Sequence, residues 1–177
     1  MLIGIESEPW GGYGSLYASQ VCEAGLASYP AAEGVAVKQS HDYVVTCDGA
    51  CPRNGMPGAT MYGSWQMRST WSGKTVSGGG AFSGHKATNN VAEYLALSGA
   101  LEHLEQLIMS KGRSPDSTAV KVRLDSQLVY GHLSLGHRCK ALHLRPLYRQ
   151  AKRAMSRFKE VNLTKVPGTE IKRILGH

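Results

Sequence analysis

From Tyr43 onward the apolar positions follow the two rhythms of regular structure. Tyr43-Val44-Val45-Thr46-Cys47 is a short β-branched and aromatic run that opens into the turn-rich stretch DGACPRNGMPG, the pattern of a buried strand entering a loop. Alternating stretches over 59–69 and 71–82, with Ser72-Gly73 near their junction, predict an antiparallel meander of three strands. Asn89 or Asn90 can cap a helix in which Val91, Leu95, Leu101, Leu104 and Ile108 recur at helical spacing, and Lys111-Gly112-Arg113-Ser114-Pro115 ends it. Residues 119–124 read as a fourth strand, Ser126 as the cap of a short helix through Tyr130, and 131–143 as a loop. The sharpest element is a helix whose stripe is Leu144, Leu147, Tyr148, Ala151, Ala154, Met155 and Phe158, with Pro146 tolerated in its first turn. A fifth strand over 161–166 and a short helix over 169–177 complete the order βββαβαβα. That order predicts an α/β fold, a mixed five-stranded sheet with helices on both faces. Residues 1–40 show little periodicity and read as an irregular extension, leaving 41–177 as the folded domain.

Composition narrows the class. A chain of 177 residues with 42% hydrophobic positions suffices for one domain and excludes collagen-like or wholly disordered character. No apolar run approaches the roughly 18 residues of a membrane span. The first Lys or Arg is Lys38, so the basic start of a secretory leader is missing and a cytoplasmic location is expected. Four cysteines, Cys22, Cys47, Cys51 and Cys139, are then expected as reduced thiols. Cys47 and Cys51 have no second Cys/His pair at finger spacing, which sets zinc aside. Charge is divided unevenly: residues 1–37 hold Glu6, Glu8, Glu23 and Glu33 and no base, while the remainder carries 20 bases and nine acids, a net +11. Such a body suits nucleic acid, whose phosphates exchange their counterions for Lys and Arg.

Three acids occupy distinctive places: Asp48 after the first strand, Glu93 in the first turn of the first long helix, and Asp125 at the end of the fourth strand. They are too distant in sequence to meet locally. If the first and fourth strands are parallel neighbours joined through that helix, both aspartates lie at the carboxyl ends of adjacent strands with the helix start above them. Converging carboxylates repel unless a cation shares them, and hard oxygen ligands suit Mg2+ or Mn2+. Two such ions about 4 Å apart can activate a water and stabilise the leaving oxygen of a phosphodiester.

The residues around these acids resemble the ribonuclease H type 1 family, in its bacterial and archaeal-like branch. CDGACPRNGMPGATMYG is similar to the family's first motif, ATNNVAEYLAL to its second, and VRLDSQLVYGHL to its third; LHLRPLYRQAKRAMSRFKEVNLTKVP is similar to its following helix and last strand. The resemblance runs from about Asp42 to Val166 with the segments in family order. It implies a ribonuclease H-like sheet and cleavage of the RNA strand of an RNA–DNA hybrid, leaving a 3′-hydroxyl and a 5′-phosphate. It also implies that Asp48, Glu93 and Asp125 are catalytic metal ligands for two Mg2+ or Mn2+ ions. Cys51, Asn54, Asn89 and Asn90 fall where family members approach the minor groove and the 2′-hydroxyls that distinguish RNA. Asn54 can also be read as a turn residue, and Asn89 or Asn90 as a helix cap. Eight bases and no acid lie between Arg138 and Lys159, and of these Arg138 and Lys140, in the loop, are the candidates for the DNA strand's phosphates. A monomer is the expected state, with no membrane partner.

One departure stands out. The family's terminal motif supplies a fourth ligand, an Asp, yet no Asp follows Asp125; Leu175 falls near that place and His177 is the nearest side chain able to hold a metal. His177 is therefore taken as the fourth catalytic and metal-binding residue. Glu170 lies too early for the role. Two other readings stay open: a junction-resolving DNA endonuclease on the same fold, and a nucleic-acid-binding domain whose catalytic set has decayed.

Overall fold

The computed structural model describes residues 15–16, 41–84 and 86–176. Its strands are β1 (Ser15–Leu16), β2 (Tyr43–Ala50), β3 (Met61–Ser69), β4 (Thr75–Phe82), β5 (Ala119–Leu124) and β6 (Glu160–Lys165). Its helices are α1 (Asn89–Ser110), α2 (Gln127–Leu133), α3 (Arg145–Met155) and α4 (Gly168–Leu175). The strands lie in the order β1-β4-β3-β2-β5-β6. β2, β3 and β4 pair antiparallel, whereas β2–β5 and β5–β6 pair parallel, so the five expected strands form the expected mixed sheet. Ser15–Leu16 adds a two-residue pair on the outer edge of β4, opposite Phe82 and Ala81. The rest of the expected N-terminal extension, residues 1–14 and 17–40, lies outside the described residues.

The two faces of β2 and β3 are read from their contacts. Gly49 and Gly63 approach α1 at Ala92 and Ala96. One residue out of phase, Gln66 donates from Nε2 to the carbonyl of Ile174 in α4 at 3.2 Å. Helices thus cover both faces, α1 with α2 and α3 on one side and α4 on the other. α1 is buried beyond the expected stripe, including Ala92, Tyr94, Ala96, Leu97, Ser98 and Ala100, because it is packed between the sheet and α3. Its sequence therefore lacks a clean polar face in its first half. α3 keeps the expected stripe: Leu147, Ala151 and Ala154 are buried, with Leu144 before it and Phe158 after it. Among the described residues no helix is long and apolar enough to cross a membrane.

Element ends differ from expectation in ways that matter. β2 runs three residues past Cys47, because Asp48, Gly49 and Ala50 pair with Ser64, Gly63 and Tyr62. Asp48 is thus inside the strand rather than after it. The N-cap of α1 is Thr88, whose hydroxyl accepts from the Val91 N–H at 3.3 Å, and this frees both asparagines from the capping role. Ser126 caps α2 as expected, accepting from Val129, and the helix continues to Leu133.

Gly49 is the point where sheet and helix meet most closely. A Cβ there would overlap the backbone of Ala92 and Glu93, so the first turn of α1 can rest on β2 only if this side chain is absent. Gly49→Ala is expected to cost about 1–3 kcal/mol by overpacking, measured as a lower urea midpoint with an unchanged slope; equal midpoints would contradict this packing.

Candidate metal centre

Three elements converge on the carboxylates. The parallel register sets Tyr43 opposite Val120 and Thr46 opposite Arg123; two residues on, the same offset brings Asp48 beside Asp125. The first turn of α1, seated on Gly49, adds Glu93. One ligand oxygen from each of Asp48, Glu93 and Asp125 can be chosen so that all lie within 4.8 Å of one another, and all three residues are half-buried. No other group of three metal-ligating side chains is found among the described residues.

The electrostatics are those of crowded like charges. Burial first, then the charges of Asp48 and Asp125, then a hydrogen bond shared with Asp125, push the Glu93 carboxyl up to about 9, against the opposing effect of the Gly49 backbone hydrogen bond. Cys47 lies close behind. Its thiol is pushed well up by burial and then by Glu93, Asp48 and Asp125. Cys47, Cys51 and Cys139 are all buried free thiols.

The expected substrate residues sit in two places. Asn89 Oδ1 accepts from the Cys51 backbone N–H at 2.7 Å, and Asn54 Oδ1 accepts from the Asn89 N–H at 2.9 Å. The loop after β2 is thereby tied to the start of α1, next to Glu93. Asn54, Asn89 and Asn90 are exposed, whereas Cys51 is 2% exposed and belongs to the buried core. Arg138 and Lys140 are exposed on the other flank, beyond α2, around the buried Cys139. On the α3 face, Arg149, Lys152 and Arg153 are exposed, while Arg157 is engaged by Glu105.

The expected fourth ligand, His177, lies outside the described residues. Leu175 is the last residue of α4, which Gly176 closes in the left-handed region at φ 85°. Glu170, set aside as a ligand, is paired with Arg123 at 3.2 Å and fastens the first turn of α4 to β5. Two contacts escaped the sequence reading. Gly168, which opens α4, lies so near Asp125 that a Cβ would stand 2.6 Å from its Oδ2, and Arg123 reaches Glu170 from two residues before Asp125. The dipeptide Pro167-Gly168 ahead of a helix was the visible signal for the first.

Known proteins share the fold. The sequence model of the reverse transcriptase-like family matches residues 63–172. Ribonuclease H1 of the halophilic archaeon Halobacterium salinarum is 29% identical over 74% of this chain and 89% of its own, with a TM-score of 0.61. The N-terminal ribonuclease H domain of a Mycobacterium tuberculosis protein is 27% identical over 77% of this chain and 92% of its own, with the same TM-score of 0.61. The fold is also that of LC11-RNase H1, solved in complex with an RNA/DNA hybrid, at 22% identity over 74% of this chain and 89% of that one, with a TM-score of 0.60. No curated protein sequence matches the chain. With the family model covering most of the folded part and the three carboxylates gathered at the strand ends, the chain belongs to the reverse transcriptase-like family and is a ribonuclease H type 1 relative within it.

Proposed function

We propose that the protein is an endonuclease that hydrolyses the RNA strand of RNA–DNA hybrids to 3′-hydroxyl and 5′-phosphate ends, with residues 41–177 as the catalytic domain. The observation that carries this reading is the convergence of Asp48, Glu93 and Asp125 within 4.8 Å at the carboxyl ends of two parallel strands. Their oxygens suit two hard divalent cations, Mg2+ or Mn2+, with His177 as a fourth ligand. When bound, such ions supply an activated water and stabilisation of the leaving oxygen. Asn54 and Asn89 spend their Oδ1 atoms on the loop, which leaves their amide Nδ2 groups to meet 2′-hydroxyls. Asn90 and the Cys51 loop backbone complete that edge, and Arg138 and Lys140 take phosphates of the DNA strand. The hybrid-bound state of the LC11 relative supports this substrate. The protein acts as a monomer in the cytoplasm.

The raised Glu93 carboxyl links cation loading to pH. The folded, cation-free protein keeps a proton on Glu93 up to pH about 9, whereas the unfolded chain releases it near the ordinary carboxyl value. Between those limits the folded state binds more protons, so its stability falls as pH rises through that window. Divalent ions compete with this proton and stabilise the fold more at high pH than at low.

Two outcomes are expected. With Mg2+ or Mn2+ the full chain cuts labelled RNA in a hybrid but leaves single-stranded RNA and four-way DNA junctions intact. Asp125→Asn lowers turnover about a thousandfold or more, and His177→Ala lowers it sharply. Binding of hybrid without cutting under either ion would replace the enzyme with a binding domain, and cutting of junctions in preference would replace the substrate. Second, in EDTA the wild-type melting temperature falls from pH 6 to pH 9 more steeply than that of Glu93→Gln; parallel curves would remove Glu93 from the cluster.

A further inference from the structure

The end of the sheet opposite the metal centre carries an aromatic and basic surface to which the proposed reaction gives no role. α1 starts at the cluster and runs 22 residues to Ser110, about 33 Å at 1.5 Å per residue. The loop after it meets the turn between β3 and β4, which follows Ser69, the partner of Tyr43 at the start of β2. Arg113 lays its guanidinium over the Trp71 ring, 3.5 Å from the centroid, yet Trp71 remains 58% exposed. Met109, in the last turn of α1, is 60% exposed. Both tips are held by their own hydrogen bonds. Thr70 donates from its N–H to the Asp42 carbonyl at 3.0 Å and from its hydroxyl to the His41 carbonyl at 2.7 Å. The Gly73 N–H donates to the Ser69 carbonyl at 3.0 Å. On the helix side, the N–H groups of Lys111 and Arg113 donate to the Ile108 carbonyl at 3.1 and 3.2 Å, around Gly112 at φ 67°.

Charge and shape narrow what this surface can take. Residues 68–74 and 109–113 hold Arg68, Lys74, Lys111 and Arg113, all exposed, and no acid. Of the acids next to these segments, Asp42 spends its Oδ2 on the Ala119 N–H at 2.8 Å, and exposed Asp116 comes three residues after Arg113. The balance favours a polyanion. A Cβ at Gly73 or Gly112 would meet nothing within 4 Å, so both tips protrude into open space instead of walling a groove. The anchoring side chains of a protein partner seek pockets. A single strand needs only an aromatic face for a base and cations for its phosphates, and every base has such a face to offer. Within a duplex those faces are taken up by neighbouring base pairs, so the match is to unpaired nucleotides.

We propose that Trp71 and Arg113, flanked by Arg68, Lys74 and Lys111, form a second nucleic-acid surface that holds a single strand by stacking a base on the Trp71 indole. This surface is separate from the metal centre and does not depend on hybrid cleavage. The test uses the full chain in EDTA with strands of about 16 nucleotides, one oligodeoxythymidine and one oligouridine, each carrying a single 5-iodouracil. Affinity is read by fluorescence anisotropy, and the residue crosslinked under ultraviolet light is read by mass spectrometry. Trp71→Ala is expected to weaken binding of at least one strand about tenfold, while Trp71→Phe, which keeps a ring to stack on, retains most of it. The strand with the larger loss identifies the sugar preferred. Lys74→Gln is expected to lower the slope of log affinity against log salt by about 0.7. A crosslink at Trp71 is expected with the wild type, and cleavage of a blunt hybrid is expected to stay at the wild-type rate in Trp71→Ala. Should Trp71→Ala lower the melting temperature by releasing Arg113, Trp71→Phe and the crosslink carry the result. Unchanged affinity of both strands in Trp71→Ala, or crosslinks confined to other residues, overturns the proposal. Displacement of both strands by oligoglutamate, with no crosslink at Trp71, overturns it in favour of an acidic polypeptide. A wild type that never cuts hybrid yet binds a single strand through Trp71 removes the nuclease reading and leaves this surface standing.

Discussion

Mutual repulsion among three carboxylates is the constraint on which the site depends. Asp48, Glu93 and Asp125 are drawn together against their charges, and the cation-free protein meets that cost by leaving a proton on Glu93. Each close approach in the surroundings serves to hold one of them. Gly49 lets α1 bring Glu93 down onto β2, Gly168 lets α4 begin against Asp125, and the parallel register of β2 and β5 sets the two aspartates side by side. Arg123 and Glu170 then fix α4 to the strand that ends in Asp125. Protonation of Glu93 relieves that repulsion, and a divalent cation shared by the three carboxylates would relieve it in the same way.

The molecule divides its electrostatics by flank. The cluster concentrates negative charge at one end of the sheet, while Arg138, Lys140 and the exposed bases of α3 carry the positive charge that a polyanion requires. Away from that basic flank, the Oδ1 atoms of Asn54 and Asn89 hold the β2–β3 loop to the helix that bears Glu93.

Much of this was legible in the sequence because the signals are local. The alternation over β3, the stripe of α3 and the apolar run of β5 each report burial residue by residue, and three acids in motif context point to one site. The rest depended on contacts between distant residues. Asp48 was read as following its strand, since the glycine and alanine after it look like turn residues; only pairing with Ser64, Gly63 and Tyr62 keeps the chain extended. The asparagines at the start of α1 looked like caps, yet Thr88 supplies that oxygen and leaves Asn89 to bind the loop. The all-round burial of α1 in its first half, from Val91 to Leu101, follows from being enclosed by sheet and α3, which no period within the helix reveals. Likewise the pairing of Ser15–Leu16 with β4 has no signature in so short a segment.

The most direct test of the cluster as a cation receptor is anomalous diffraction from a crystal soaked in Mn2+. The account expects a peak within coordination distance of carboxylate oxygens from Asp48, Glu93 and Asp125, lost in a crystal of Asp48→Asn/Asp125→Asn. A saturating soak that leaves these oxygens without a peak, in a protein that still folds, would contradict it.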